Sequence, residues 1–190
     1  TRCLYCSFAA YSVMDVQTKI SAYLGALKEE LQYISLLNMG RTLKSIYIGG
    51  GTPTALSAEQ LETLLSSIEE TFDMETVTEY TVEAGRPDSI TKEKLRRMKT
   101  HGVTRISINP QTMNEETLRI IGRSHTPADI QRAFLEARKA GFDDINMDII
   151  AGLPGENLDS MRYTLNALEK LGPDSLTVHS LAIKRTANLN

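Results

Sequence analysis

Cys3 and Cys6, with Leu4 and Tyr5 between them, are the residues of this 190-residue chain whose type and spacing most directly suggest chemistry. Two thiols three positions apart can form a redox dithiol, supply half of a zinc site, or hold iron. A closed zinc site needs two more ligands at short spacing. There is no other Cys, and His101, His125 and His179 are scattered, so zinc within the chain is disfavoured. The dithiol reading stays open on these residues alone.

Gly49-Gly50-Gly51-Thr52-Pro53 closes an apolar run. It is neither G-x-G-x-x-G nor a P-loop, because no Gly-Lys-Ser/Thr follows. Successive glycines strip a strand end of Cβ atoms and let a ligand approach the backbone, although a bulge or tight turn would use them equally well. Glu83, Gln111, Arg123 and Asp148 are the polar residues expected around such a ligand. Glu83 and Asp148 end apolar strands, where a buried carboxylate is costly unless paired. The plainer readings are a helix cap or solvent-facing carboxylate for each, and a solvated helix-end charge for Arg123. His101 is expected to be exposed at a helix C-terminus and His125 to be a loop histidine without a ligand. His179 sits on a strand with its side undecided. Met98 and Met147 read as core fillers.

These residues need a frame, and the apolar pattern supplies it. Short β-branched runs, Ser45-Ile46-Tyr47-Ile48, Tyr80 to Glu83, Arg105 to Ile108, Ile145 to Ile150 and Ser175 to His179, alternate with helical stretches. The first helix is expected over about Val16 to Leu37, with Ile20, Tyr23, Leu24, Leu27, Leu31 and Ile34 on one stripe. Ser57 with Gln60 makes a capping box, Thr91 an N-cap, Thr126-Pro127 a helix start, and Gly172-Pro173 the end of a helix from Asn157. Strands roughly 30 residues apart predict βαβ units and a parallel sheet, either a barrel of the TIM type or a doubly wound open sheet. The unusual residues all follow strands, which places the candidate chemistry on the C-terminal rim.

With 41% hydrophobic and 24% charged residues, the chain can bury one substantial core. A formal charge of -3 gives no general pull toward nucleic acid or an anionic membrane, and no apolar stretch is long enough to span one. Two closely spaced cysteines without a secretory leader suit a reducing cytoplasm.

The Cys pair, Ile46 to Thr54, Glu83, Gln111, Gly122-Arg123-Ser124-His125-Thr126 and Asn146 to Gly155 together resemble the oxygen-independent coproporphyrinogen III oxidase family of radical S-adenosylmethionine (SAM) enzymes. The match runs along almost the whole chain. Thr177 to Arg185 is similar to the branch of coproporphyrinogen dehydrogenase-like proteins from Gram-positive bacteria. The resemblance implies an α/β fold, a partial (β/α)6 barrel over residues 1–190, with the first strand and the first cluster Cys preceding Thr1, so that this segment would begin inside its active-site loop and hold a cluster poorly by itself. It also implies that the segments covering the substrate lie outside the chain.

By that resemblance Cys3 and Cys6 ligate a [4Fe-4S] cluster, whose remaining iron is chelated by SAM. Tyr5 would pack near the adenine. Gly50, Gly51 and Thr52 would receive the methionyl amino group, Glu83, Gln111 and Asp148 would lie on the ribose side, Arg123 would pair with the SAM carboxylate, and Ile150 and Ala182 would wall the adenine. A sulfonium bearing an ammonium and a carboxylate needs such a set of acceptors and an Arg. Reductive cleavage of SAM would give a 5′-deoxyadenosyl radical. The implied reaction converts coproporphyrinogen III to protoporphyrinogen IX, turning propionates into vinyls, with a donor such as flavodoxin or ferredoxin. A haem-binding or haem-transfer protein on the same barrel and a plain thiol oxidoreductase are the alternatives. The chain departs from the family pattern in two places: Glu83 and Pro87 stand one residue further apart than in Glu-x-x-Pro, and Asn109-Pro110-Gln111 replaces a Gly-Val-Gln-like run.

Overall fold

A computed structural model describes residues 3–6, 16–38 and 40–183. Five strands form one parallel sheet: β1 (Ser45–Ile48), β2 (Glu79–Gly85), β3 (Arg105–Gln111), β4 (Asp144–Ala151) and β5 (Ser175–Ser180). Their spatial order is the chain order, without reversal. A doubly wound sheet reverses direction at a switch point, whereas successive right-handed crossovers all to one side build a barrel arc. The sheet is therefore part of a barrel wall.

Six helices connect or flank the strands: α1 (Val16–Leu37), α2 (Ala58–Thr71), α3 (Lys92–Thr100), α4 (Glu115–Ile120), α5 (Pro127–Lys139) and α6 (Leu158–Leu171). Their starts follow the local chemistry. Ser57 and Gln60 form a reciprocal capping box on α2, and Thr126 with Asp129 another on α5, where Pro127 occupies the first turn. Thr91 caps α3. Asn157 caps α6, which Gly172 ends at φ 71°, a left-handed conformation that favours glycine. The stripe on α1 is narrower than its periodicity suggests. Leu24 is buried and Ile20, Leu27 and Leu31 pack on the core, but Tyr23 and Ile34 are exposed, because α1 lies at the end of the arc against α2.

Strand alternation divides the sheet into two unlike faces. Val82, Ile106, Ile108, Ile145, Met147 and Ile149 are buried in one core with helix residues such as Leu61, Leu65, Leu95, Met98 and Phe134. Met98 and Met147 are thus core residues, as expected. The alternate positions, Glu83, Arg105, Ser107, Asn109, Asp144, Asn146, Asp148, Ser175 and Thr177, carry a polar network on the lumen face. Asn146 sits at its centre: its Nδ2 donates to Asp148 Oδ1 (2.6 Å) and Ser107 Oγ (3.1 Å), while its Oδ1 accepts from Ser175 (2.9 Å) and Thr177 (3.1 Å).

Both departures from the family pattern fall on bulges. The β2–β3 register slips between Glu83 and Gly85, which has φ 64°, so the additional residue before Pro87 is absorbed without displacing Glu83 from its strand. The β3–β4 register slips between Ile108 and Gln111. There Pro110, with no N–H to give, occupies the interrupted ladder, and Gln111 takes φ 69°, the one positive-φ residue other than glycine among those described.

Candidate cofactor site

At the rim the three glycines have different reasons. A Cβ on Gly49 would run into the Tyr47 ring, and Gly50 has φ 108°. Among the described residues nothing lies within 4 Å of a Cβ placed on Gly51, so their packing does not require that glycine. The Gly50 N–H donates to Glu83 Oε2 (3.2 Å) and the Tyr47 hydroxyl to Glu83 Oε1 (2.5 Å), which fixes the carboxylate against the glycine turn. Desolvation and the Glu83 carboxylate push the Tyr47 phenol above its ordinary range. Thr52 turns its hydroxyl to the Gly51 carbonyl. Thr54 and Lys94 then tie this turn to the next: Thr54 Oγ1 bonds the Ala84 carbonyl, and Lys94 Nζ donates to the Thr54 carbonyl (2.6 Å) and the Ser89 carbonyl (3.1 Å).

Arg123 is 8% exposed, so it is no solvated helix-end charge. One guanidinium nitrogen donates to the Asn109 carbonyl at 2.9 Å and another to the Tyr5 hydroxyl at 2.9 Å, while Nε is buried without a partner. Both acceptors are uncharged, and no carboxylate among the described residues pairs with this cation. Tyr5 belongs to the turn between Cys3 and Cys6, closed by Cys6 N–H to the Cys3 carbonyl (3.1 Å) and tied down by Leu4 N–H to the Ile121 carbonyl (3.0 Å). Both thiols are free and partly buried. Burial pushes the Tyr5 phenol up to about 12, with Arg123 opposing and Cys3 reinforcing the rise. Tyr5 therefore joins the cysteine turn to the buried Arg.

Gln111 is 6% exposed, and its Oε1 has no partner. Asp148 has Oδ1 held by Asn146 and more distantly by Ser107 (3.5 Å), and its Oδ2 lies 3.6 Å from His179 Nε2. Ile150 is buried and Ala182, beyond β5, is exposed. The expected residues thus fall on the turn at residues 3–6, at strand C-termini or in the segments just after them, except Arg123, which lies in the loop between α4 and α5. The direct links are Gly50 with Glu83 and Tyr5 with Arg123; Asn109 O then brings Arg123 to the β3 bulge that carries Gln111.

His125 lies in a loop, as expected, and His101 corrects its expectation. The His125 side chain is fully buried, with Nε2 3.4 Å from the Pro110 carbonyl, and burial together with the Arg123 charge pushes it down to about 4. His101 is not exposed but 10% accessible at its side chain, with Nε2 2.9 Å from Glu62 and Nδ1 2.9 Å from Glu69. Burial opposes its charge, yet hydrogen bonds to the two carboxylates outweigh this and raise it. Sequence reasoning missed Tyr47, Asn109 and Asn146. The period-2 alternation that ran through β1, β3 and β4 was the signal that could have found them.

The radical SAM superfamily pattern matches residues 1–168. The chain is 42% identical over its full length to the oxygen-independent coproporphyrinogen-III oxidase-like protein HemZ of Bacillus subtilis, covering 38% of that protein. It is 37% identical to the heme chaperone HemW of Lactococcus lactis, over 96% of this chain and 46% of the relative. The Escherichia coli coproporphyrinogen III oxidase structure superposes with a TM-score of 0.86 at 30% identity, over 96% of this chain and 42% of that one.

The chain belongs to the radical SAM superfamily, in its coproporphyrinogen oxidase-like family.

The cofactors of this superfamily are a [4Fe-4S] cluster and SAM. The residues present fit them: two free thiols on one turn, a buried Arg that lacks an anion, and a buried amide oxygen that lacks a donor. The chain spans less than half the length of these relatives. No described helix is long and apolar enough to cross a membrane.

Proposed function

We propose that residues 1–190 are part of the barrel core of a SAM-dependent oxidoreductase that decarboxylates the propionates of coproporphyrinogen III to vinyls, giving protoporphyrinogen IX. The observation that carries the cofactor part is Arg123, a buried guanidinium whose partners are a carbonyl and a phenol. A buried cation without a counter-charge is costly, and a ligand carboxylate would relieve that cost with a charge-assisted hydrogen bond. Arg123 is accordingly assigned to the SAM carboxylate. Gly50, Gly51 and Thr52 supply the open backbone for its ammonium, Glu83, Gln111 and Asp148 the polar contacts of its ribose side, and Ile150 and Ala182 an apolar wall. Cys3 and Cys6 are assigned to the cluster. When bound, cluster and SAM supply one-electron hydrogen-abstracting chemistry; the chain's own residues bind, orient and shield. A low-potential flavodoxin or ferredoxin suits the role of donor.

The full-length protein, reconstituted anaerobically with iron and sulfide, should consume coproporphyrinogen III and form 5′-deoxyadenosine in proportion to vinyl product. The names of the HemW relatives favour one second reading, haem binding and transfer on the same barrel. That reading expects stoichiometric haem uptake with no vinyl product. Neither product nor haem uptake, with a reversible dithiol potential for Cys3 and Cys6, would overturn both.

A further inference from the structure

Strand parity places one more group on the lumen face. Ser175 and Thr177 of β5 both reach Asn146, so the next residue of the same parity, His179, faces the lumen above them. It stands opposite Ile150 in the β4–β5 register and beside Asp148. Its side chain is 55% exposed, whereas that of Asp148 is 15% exposed and already held by Asn146.

The other cations of this region are engaged. Arg105 is bound to both oxygens of Asp144 and to Ser175, and Arg123 to Asn109 and Tyr5. Among the described residues on the lumen face, His179 is the cation-capable side chain that keeps a ring nitrogen facing open space. Asp148 Oδ2 lies 3.6 Å from Nε2, and the ring makes no hydrogen bond to a described residue. A half-exposed imidazole at the barrel mouth, with a carboxylate nearby and no hydrogen bond of its own to a described residue, is placed to pair with a group from outside.

We propose that His179 is a substrate-binding residue that receives a carboxylate of the tetrapyrrole at the mouth of the barrel. This rests on the porphyrinogen reading above and adds to it a recognition contact on β5, at the edge of the sheet and apart from Arg123.

Coproporphyrin III, the aromatic tetracarboxylate that cannot react, serves as the probe. It is titrated into the full-length, cluster-loaded protein and followed by its Soret band, with SAM affinity measured separately by calorimetry. His179→Ala and His179→Phe should each weaken porphyrin binding by about tenfold, as expected for losing a charge-assisted hydrogen bond, and His179→Arg should recover most of it. SAM affinity should fall by clearly less than porphyrin affinity in all three, because the assigned carboxylate and ammonium contacts lie elsewhere and only ribose-side Asp148 and the Ile150 wall adjoin His179. Unchanged porphyrin affinity in the Ala and Phe variants would overturn the proposal while leaving the function standing. A parallel loss of SAM affinity would move His179 into the cofactor site and overturn it too. If the wild-type protein binds no porphyrin at all, the porphyrinogen reading itself fails, and this contact with it.

Discussion

The two ends of this barrel arc treat buried positive charge in opposite ways. At the N-terminal end of the strands three cations meet carboxylates: Arg97 meets Glu93 (2.8 Å) and Glu62 (3.3 Å), His101 meets Glu62 and Glu69, and Arg105 meets Asp144 (2.7 Å). At the C-terminal rim, buried Arg123 and part-buried Lys94 are met by carbonyl and phenol oxygens alone. Arg86, also largely buried, is the rim cation that does meet a carboxylate, Asp88 at 3.3 Å, so the contrast rests on Arg123 and Lys94. Compensated charge at one end contributes to stability. Uncompensated charge at the other leaves electrostatic potential for a ligand, which fits the division of labour between the two faces of a (β/α) barrel.

The sharpest way to break this comparison is Arg123→Ala. If the guanidinium is held for a ligand carboxylate, the full-length, cluster-loaded variant should lose about 2 to 4 kcal/mol of SAM binding. An ordinary surface charge would cost less than about 1 kcal/mol. Calorimetric titration of SAM separates the two ranges, and equal affinities would end the assignment.

His125 tests the rim by pH. Its folded value, lowered to about 4, lies below the ordinary 6.5, so between those values the unfolded chain binds a proton that the folded chain refuses. Stability should then fall as pH drops from 6.5 through 4, by an amount on the order of 3 kcal/mol. Urea unfolding across that range should show a shallower acid loss for His125→Leu than for the wild type. Identical slopes would mean that the imidazole is not held neutral by its burial.

Lys94 should matter somewhat less. Lys94→Met leaves the Thr54 and Ser89 carbonyls without their donor and should cost about 1 to 2 kcal/mol in denaturant unfolding. It should also loosen the glycine turn relative to Glu83, seen as faster amide exchange at Gly50. No change in either would mean that water replaces the ammonium there without loss.

How much of this was legible in the sequence depends on the range of the interaction. The strands and capped helices follow from local periodicity and from Ser57, Thr91, Thr126 and Asn157, so their positions agree with expectation. The choice between barrel and open sheet needed strand order, which no local pattern carries. The short α4, following the β3 bulge, has too few residues to show a period and was not anticipated. Among the expected site residues, the glycines, Glu83 and Asp148 are picked out by type and by position at strand ends, and Arg123 by type. Tyr47 and Asn146 were passed over because their partners lie 36 residues away on β2 and about 30 away on β5. The expectation of an exposed His101 fails for the same reason: it ends a helix, as expected, but the glutamates that bury it belong to α2.

That bottom histidine gives the smallest and most diagnostic effect, because its sign is opposite to that of His125. The carboxylates of Glu62 and Glu69 raise its folded value above the unfolded one, with Arg97 sharing Glu62. In the interval between the two values the folded chain binds the extra proton, so the contribution is fully present below the unfolded value near 6.5 and is lost as pH rises through the folded one. His101→Gln keeps a hydrogen-bonding side chain and removes the charge. It should lower stability by about 1 kcal/mol or less in mildly acid solution, as expected for a pair at the edge of solvent, and converge on the wild type in alkali. Salt should shrink the difference, since the glutamates are partly exposed. A deficit that grew with pH would reverse the assigned sign, and the contrast between a compensated floor and an uncompensated rim would lose its clearest titrating pair.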